Sequence, residues 1–284
     1  MSPESPKAFK GIDHVMIVVP EIEAAGKLYE RLGFDVQPRG IHSHMGTANH
    51  LMILDGDYIE LLGVLKPDPL NEAYKKIADE GGALANVALQ TDGADLAYTA
   101  WKAAGIKPEP IIEFSRGVEV AGKMEQAEFR IVRLPHDQRP GVGLFVCDQR
   151  TPQFVYRQEW QNHPNGAQRL TGITVVADDP AKYEAAAAKV FGAAAIAKDR
   201  DGFTVKLGRA PIHYISRAQF AARFGGLQPA RSGDHAAVLG IKVRDIAVTA
   251  KALEQGGITP TKTDDGRLLV PAQLAGGVML QFSA

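Results

Sequence analysis

The chain has 284 residues, of which 45% are hydrophobic, 23% charged and 7% aromatic, with a formal net charge of -1 from 32 basic and 33 acidic side chains. That is an ordinary globular composition, long enough for a sizeable core, and it offers no basic block for nucleic acid or an anionic membrane. The single cysteine, Cys147, excludes an intramolecular disulfide and fits a reducing compartment.

The first residues, MSPESPKAFKGIDHVMIVVPEIE, do not read as a secretory leader, because the apolar run 15–19 is short and acidic residues follow it. No stretch approaches the length of a membrane span. The expectation is a cytoplasmic protein with neither nucleic-acid nor membrane partners.

Residues 11–34, GIDHVMIVVPEIEAAGKLYERLGF, begin β-branched and apolar like a strand. A helical segment follows, with Ile22, Ala25, Leu28, Tyr29 and Leu32 near a 3.6 period, and Gly33 is placed to cap it. Short strand-like runs come next: FDVQPRG, ANHLMIL and DYIELLGVL. Residues 84–106 repeat the grammar, and aligning Gly105 with Gly33 gives an offset of 72. That offset puts Val87 on Val15 and Asn86 on His14. Third and fourth copies start near residues 170 and 236. The predicted fold is α+β: four βαβββ modules paired into two curled mixed β-sheets with helices outside. The expected domains are residues 8–150 and 166–284. A connector containing the turn signal HPNG joins them.

One residue breaks the apolar pattern. Glu60 lies between Ile59 and Leu61 in DYIELLG, and a carboxylate in a buried strand is costly unless something neutralises it. Alternation along strands puts Tyr58, Glu60 and Leu62 on one face, and His14, Met16 and Val18 on one face. If both faces line the concave side of a sheet, an imidazole and a carboxylate converge there. The bland alternatives are a hydrogen-bonded His14 at a strand start and a Glu60 paired with Arg130.

The combination of IDHVMIVVP with LGF, HSHMGTANH, YIELLG and HPNGA resembles the glyoxalase-like family of the vicinal-oxygen-chelate superfamily, over almost the whole chain. The resemblance implies metal ligands on the first and last strands of a module, here His14 and Glu60. Gln149 is a third candidate, at a position where similar chains carry histidine. The implied cofactor is a divalent metal: Zn, Fe, Mn, Ni or Co. The implied function is a metal-dependent isomerase, lyase or dioxygenase acting on a small oxygen-chelating substrate at one N-terminal site. The alternative is a non-enzymatic binding or sequestering protein with a degenerate site.

Other candidates follow from the same reading. His50 is the expected acid–base group, should Met52 and Leu54 face the cavity. Asn49, Tyr58 and Asn86 are expected substrate contacts. His42 and His44 read as a polar loop at a strand end. Phe154, Tyr156 and Trp160 read as connector aromatics that lid a pocket or pack on the surface. The second half carries Gly172, Val238 and Gln281 at the ligand positions and is expected to be a packing partner. A cavity of its own would be lined by Phe203, Val205, Leu207 and Tyr214. Both a monomer and a homodimer suit this architecture.

Overall fold

The computed structural model describes residues 7–42, 45–120, 122–200 and 202–284. The first half runs β1 (Gly11–Val18), α1 (Ile22–Arg31), β2 (Gly40–His42), β3 (Thr47–Ile53) and β4 (Tyr58–Val64). It continues with α2 (Glu72–Asp79), β5 (Ala83–Gln90), α3 (Ala94–Ala103), β6 (Ile112–Val120), β7 (Lys123–Arg133) and β8 (Gly143–Gln149). The second half runs β9 (Ala167–Ala177), α4 (Glu184–Phe191), β10 (Ile196–Asp199), β11 (Gly202–Val205), β12 (Ile212–Ser216) and α5 (Arg217–Arg223). It ends with β13 (His235–Val243), α6 (Ile246–Gln255), β14 (Thr261–Lys262), β15 (Leu268–Val270) and β16 (Met279–Ser283).

The pairing of the inner strands organises the molecule. Strands β1, β5, β9 and β13 pair in parallel with β4, β8, β12 and β16 respectively. The inner strands also pair antiparallel with one another, β1 with β5 and β9 with β13. The β1–β5 register is symmetric about Val15 opposite Val87, the pair that the offset of 72 equates. A bridge between Ala236 and Leu84 then joins β13 to β5. The described strands therefore form a single open mixed sheet, where two separate curled sheets were expected.

Each inner strand is interrupted by a β-bulge. On β1 the ladder passes from Ile12 to His14 and leaves out Asp13; on β5 it leaves out Ala85. On β9 and β13 it leaves out Thr171 and Ala237. A bulge adds one unpaired residue and re-aims its side chain.

The helices cover one face of the sheet, and the core between them runs through both halves. Fully burying a side chain such as Phe203 contributes about 1.5–3 kcal/mol. The polar tips of three buried aromatics are satisfied across the junction. Tyr29 donates to the Ala275 carbonyl (3.0 Å), Tyr214 to Pro140 (2.8 Å) and Trp101 to Val190 (3.2 Å).

The HPNG segment is more than a turn. Helix α1 ends in a left-handed Gly33 (φ 81°), with Gly33 N–H on Glu30 and Phe34 N–H on Tyr29. Asn165 clasps that end, donating its amide to Leu32 and its backbone N–H to Gly33. The His163 ring accepts from the Asp35 backbone and donates to Ile53. Burial holds that imidazole below its usual pKa, consistent with one proton shared out this way.

Candidate functional site

Residues from all eight strands β1 to β8 line a cavity of about 120 Å³. Alternation places His14 and Met16 of β1 on it, beside Tyr58, Glu60 and Leu62 of β4. His14 and Glu60 are 3% and 5% exposed.

The His14 ring is held on several sides. Its Nδ1 bonds Asp13 at 2.6 Å. Tyr58 stacks on it at 4.3 Å, and Phe145 meets it edge-on at 5.4 Å. Asp13 reaches that nitrogen because the bulge on β1 turns a neighbouring residue toward the same side. Asp13 is itself held by Gln149 (3.0 Å) and by the Tyr156 hydroxyl (2.7 Å). A carboxylate accepting from Nδ1–H fixes the tautomer and leaves Nε2 to present a lone pair.

His14 Nε2 faces Glu60. The separation from Nε2 to Oε2 is 3.6 Å, too long for a hydrogen bond. It is close to the spacing of two ligand atoms on one ion, roughly 3.0–3.4 Å for bonds of about 2.1 Å. The other Glu60 oxygen accepts from Asn49 Nδ2 at 2.7 Å, which turns Oε2 to the cavity. Arg130 is elsewhere, paired with Asp95 and Glu113, so the alternative of a Glu60–Arg130 ion pair is removed.

A buried Asp13, His14 and Cys147 group also has the composition to hold a metal, with one ligand atom from each residue within 4.8 Å of the others. Two observations favour the His14–Glu60 pair instead. Both Asp13 oxygens are already engaged. Burial, with Asp13 and Glu60 nearby, also pushes the Cys147 thiol well above its usual range, so a thiolate there forms against that bias.

The other expected residues fall into place or out of it. Asn49, Tyr58 and Asn86 line the cavity. Asn86 reaches the Tyr74 hydroxyl at 3.4 Å and the Met16 sulfur at 3.6 Å. Gln149 stands beside Asp13, with its amide nitrogen on that carboxylate and its buried Oε1 without a hydrogen-bond partner among the described residues. His50 is not on the cavity wall. On β3 it is Thr47, Asn49 and Leu51 that face inward, while Met52 packs under the helices. His50 lies against α1 with Nδ1 on the Gln37 carbonyl. His42 does line the cavity, next to Thr47 and Asn49, and His44 lies outside the described residues.

Sequence reasoning missed Asp13, whose adjacency to His14 was visible but whose orientation depends on the bulge. It left Tyr156 among connector aromatics. It also missed Arg116, Arg133 and Arg139, which line the cavity from β6, β7 and the loop before β8.

In the second half, a cavity of about 140 Å³ is lined by Gly172, Thr174, His213, Val238, Arg267 and Gln281, among others. The expected lining of Phe203, Val205, Leu207 and Tyr214 is instead core, because those side chains point to the helices. Among the described residues no helix is long and apolar enough to cross a membrane.

The fold and the site define a member of the vicinal-oxygen-chelate superfamily, whose members usually bind a divalent metal. Within it, the chain belongs to the glyoxalase-like domain family, whose model matches residues 12–191. No curated protein matches the sequence significantly. Among solved structures, a hypothetical protein from Staphylococcus aureus is similar in fold, at TM-score 0.68 and 11% identity over 96% of this chain and 98% of that one. A mutant 4-hydroxymandelate synthase from Streptomyces coelicolor aligns at TM-score 0.60 and 13% identity, covering 96% and 92% of the two chains. A fusion of a xylose isomerase-like TIM barrel with 4-hydroxyphenylpyruvate dioxygenase aligns at TM-score 0.55 and 15% identity, covering 99% of this chain and 50% of that one.

Proposed function

We propose that the chain is a divalent-metal-dependent enzyme of the vicinal-oxygen-chelate type, an isomerase, lyase or dioxygenase acting on a small oxygen-chelating substrate. One observation carries the reading. His14 Nε2 and a carboxylate oxygen of Glu60 face each other, buried, across 3.6 Å. With Nδ1–H given to Asp13 both atoms are acceptors, and two acceptors so placed repel unless a cation, a proton or a metal ion, lies between them. His14 and Glu60 are the protein ligands, and Zn, Fe, Mn, Ni and Co all suit this donor pair. When bound, such an ion supplies Lewis-acid polarisation of substrate oxygens.

The surrounding side chains fix that geometry. Asp13, backed by Gln149 and Tyr156, sets the His14 tautomer, and Asn49 sets the rotamer of Glu60. Asn86 and Tyr58 are substrate contacts, and the enclosing apolar walls exclude water. In this reading Gln149 is an anchor for Asp13 rather than a ligand, and His50 takes no part.

We read the chain as four copies of one strand–helix–three-strand unit, paired within residues 8–150 and 166–284. The four parallel inner-strand pairings support that division. A cytoplasmic location suits the buried free thiol of Cys147.

A second reading has its own observation. By the symmetry of the β1–β5 ladder, Ala85, Asn86 and Phe145 occupy the positions of Asp13, His14 and Glu60. Only two firm ligands are then assembled, which also suits a non-enzymatic small-molecule binder.

Elemental analysis separates the readings, using protein purified without chelator or affinity-tag histidines beside a His14→Ala, Glu60→Ala double variant. Near-stoichiometric metal in the parent and none in the variant is the expected result. A metal-free parent that added divalent ions do not stabilise thermally would leave the binding-protein reading.

A further inference from the structure

The wall of the cavity away from His14 carries a charge that the metal reading does not use. Arg133 on β7 pairs in register with Phe145 on β8, and Phe145 is the ring that meets His14 edge-on. Phe145 thus separates a metal end from a cationic end. At the cationic end Arg133 and Arg139 line the cavity with Tyr74 and Asn86. Both guanidiniums are half-buried. Arg139 spends its Nε on the Leu134 carbonyl, which leaves its terminal N–H groups available. Among the described residues no carboxylate lies within ion-pair distance of Arg116, Arg133 or Arg139. Among the described residues Glu60 is the only acid on the cavity wall.

Half-buried, unpaired guanidiniums in an enclosed site are costly unless an anion joins them. Two guanidiniums lining one cavity suit a planar oxyanion, which each can grip through paired N–H groups. Between the two ends the wall is apolar, formed by Leu144, Ile131 and Phe145.

We propose that the cavity takes a small organic acid, its oxyanion held by Arg133 and Arg139 and its apolar body, about one ring in size, laid along Phe145 toward His14. This rests on the reading of the cavity as a small-molecule site. It adds the class of molecule, an organic oxyanion with a short apolar body, and the end that recognises it.

The test is calorimetric titration of the full, metal-free chain with benzoate, phenylphosphonate and the neutral isostere benzamide. The expected result is saturable binding of an anionic probe at least roughly tenfold tighter than benzamide. The two anions show whether the head recognised is a carboxylate or a phosphoryl group. Arg133→Met and Arg139→Met should each weaken the better anion by roughly tenfold or more, with the thermal midpoint kept near that of the parent. Arg116→Met, a change nearer the metal end, should weaken it less.

Benzamide matching the anions overturns the proposal. So does failure of both anions to bind at millimolar concentration, or unchanged affinity in a folded Arg133→Met, Arg139→Met double variant. Cobalt(II) titration of the same proteins keeps the two readings apart. The arginine variants should bind cobalt like the parent. The His14→Ala, Glu60→Ala variant should lose cobalt and retain the acid. Loss of cobalt binding in the parent alone sinks the metal reading and leaves this one standing.

Discussion

The two halves of the molecule build the same concave surface and equip it differently. Each inner strand has a bulge followed by a residue aimed at a cavity. In the first half that pair is Asp13–His14, and the facing strand offers Glu60 opposite Met16. In the second half the bulge pairs are Thr171–Gly172 and Ala237–Val238, and the facing residues are His213 opposite Thr174 and Gln281 opposite Gly240. Gln281 accepts from Arg267 and His213 bonds Thr204, so both facing side chains already have protein partners. The scaffold therefore does not make a metal site. The proposed site needs an imidazole after the bulge, an acid to orient it and a second acid across the ladder, and among the described residues only the first strand pair assembles all three.

The largest effect should come from testing that contrast directly. Glu60→Ala should lower metal affinity by more than roughly 100-fold, beyond what outer-shell changes produce, whereas Gln281→Ala and His213→Ala should leave it unchanged. Equilibrium dialysis with zinc measures all three. Retention of metal by Glu60→Ala would erase the difference between the halves.

Next in size is the junction that holds the two cavities in one sheet. Asp57 is buried in the turn before β4 and accepts from the Leu170 backbone of β9 (3.0 Å), with Arg209 at 3.4 Å. Burial pushes its carboxyl up to about 7, against the opposing pull of Leu170 and Arg209. The folded state thus favours the protonated acid. Its contribution is complete below the ordinary carboxylate pKa and is lost as pH rises through about 7. The loss is at most about 4 kcal/mol by linkage. Asp57→Asn keeps an acceptor for Leu170 and cannot ionise. Denaturant unfolding should find it close to the parent at pH 5 and more stable at pH 8. An identical pH dependence in both proteins would show that Asp57 does not govern the junction.

The orienting shell comes third. Asp13→Asn should weaken metal binding by roughly 10- to 100-fold with His14 and Glu60 in place. Tyr156→Phe, which removes one of the two groups holding Asp13, should cost less. Equal losses from both would make the hydroxyl a direct participant instead of a support.

These residues also show what a sequence discloses. The equivalence of β1 and β5 was legible because an offset of 72 aligned two glycine-terminated helices, whereas their pairing about Val15 and Val87 came only with the structure. Glu60 was legible because a lone acid in an apolar strand is an energetic anomaly. Asp13 was hidden, since a bulge breaks the period of 2 by which faces are assigned. Tyr156 was hidden because its contact with Asp13 spans 143 residues of sequence. Nothing in the sequence singles out Arg133 and Arg139, and only their enclosure without a partner acid among the described residues sets them apart. The merging of two expected sheets into one rests on a single bridge, Ala236 to Leu84, which no local pattern announces.

His50 should have the smallest effect on the site, and its case turns on one face of one strand. His50 was expected to reach the cavity on condition that Met52 and Leu54 faced it. The structure turns Thr47, Asn49 and Leu51 inward instead, since Asn49 must reach Glu60. His50 is left between β3 and α1, its ring 3.1 Å from where a Cβ on Gly26 would stand. Its Nδ1 bonds the Gln37 carbonyl at 2.8 Å, and Glu23, 3.9 Å from Nε2, is the acid nearest to it in ion-pair range. His50→Ala should therefore lower stability by about 1–3 kcal/mol, through lost packing and an unpaired Gln37 carbonyl. Metal content and acid affinity should stay within roughly twofold of the parent. A tenfold loss of either, in a variant that still unfolds cooperatively, would return His50 to the site and reverse the assignment of faces on β3.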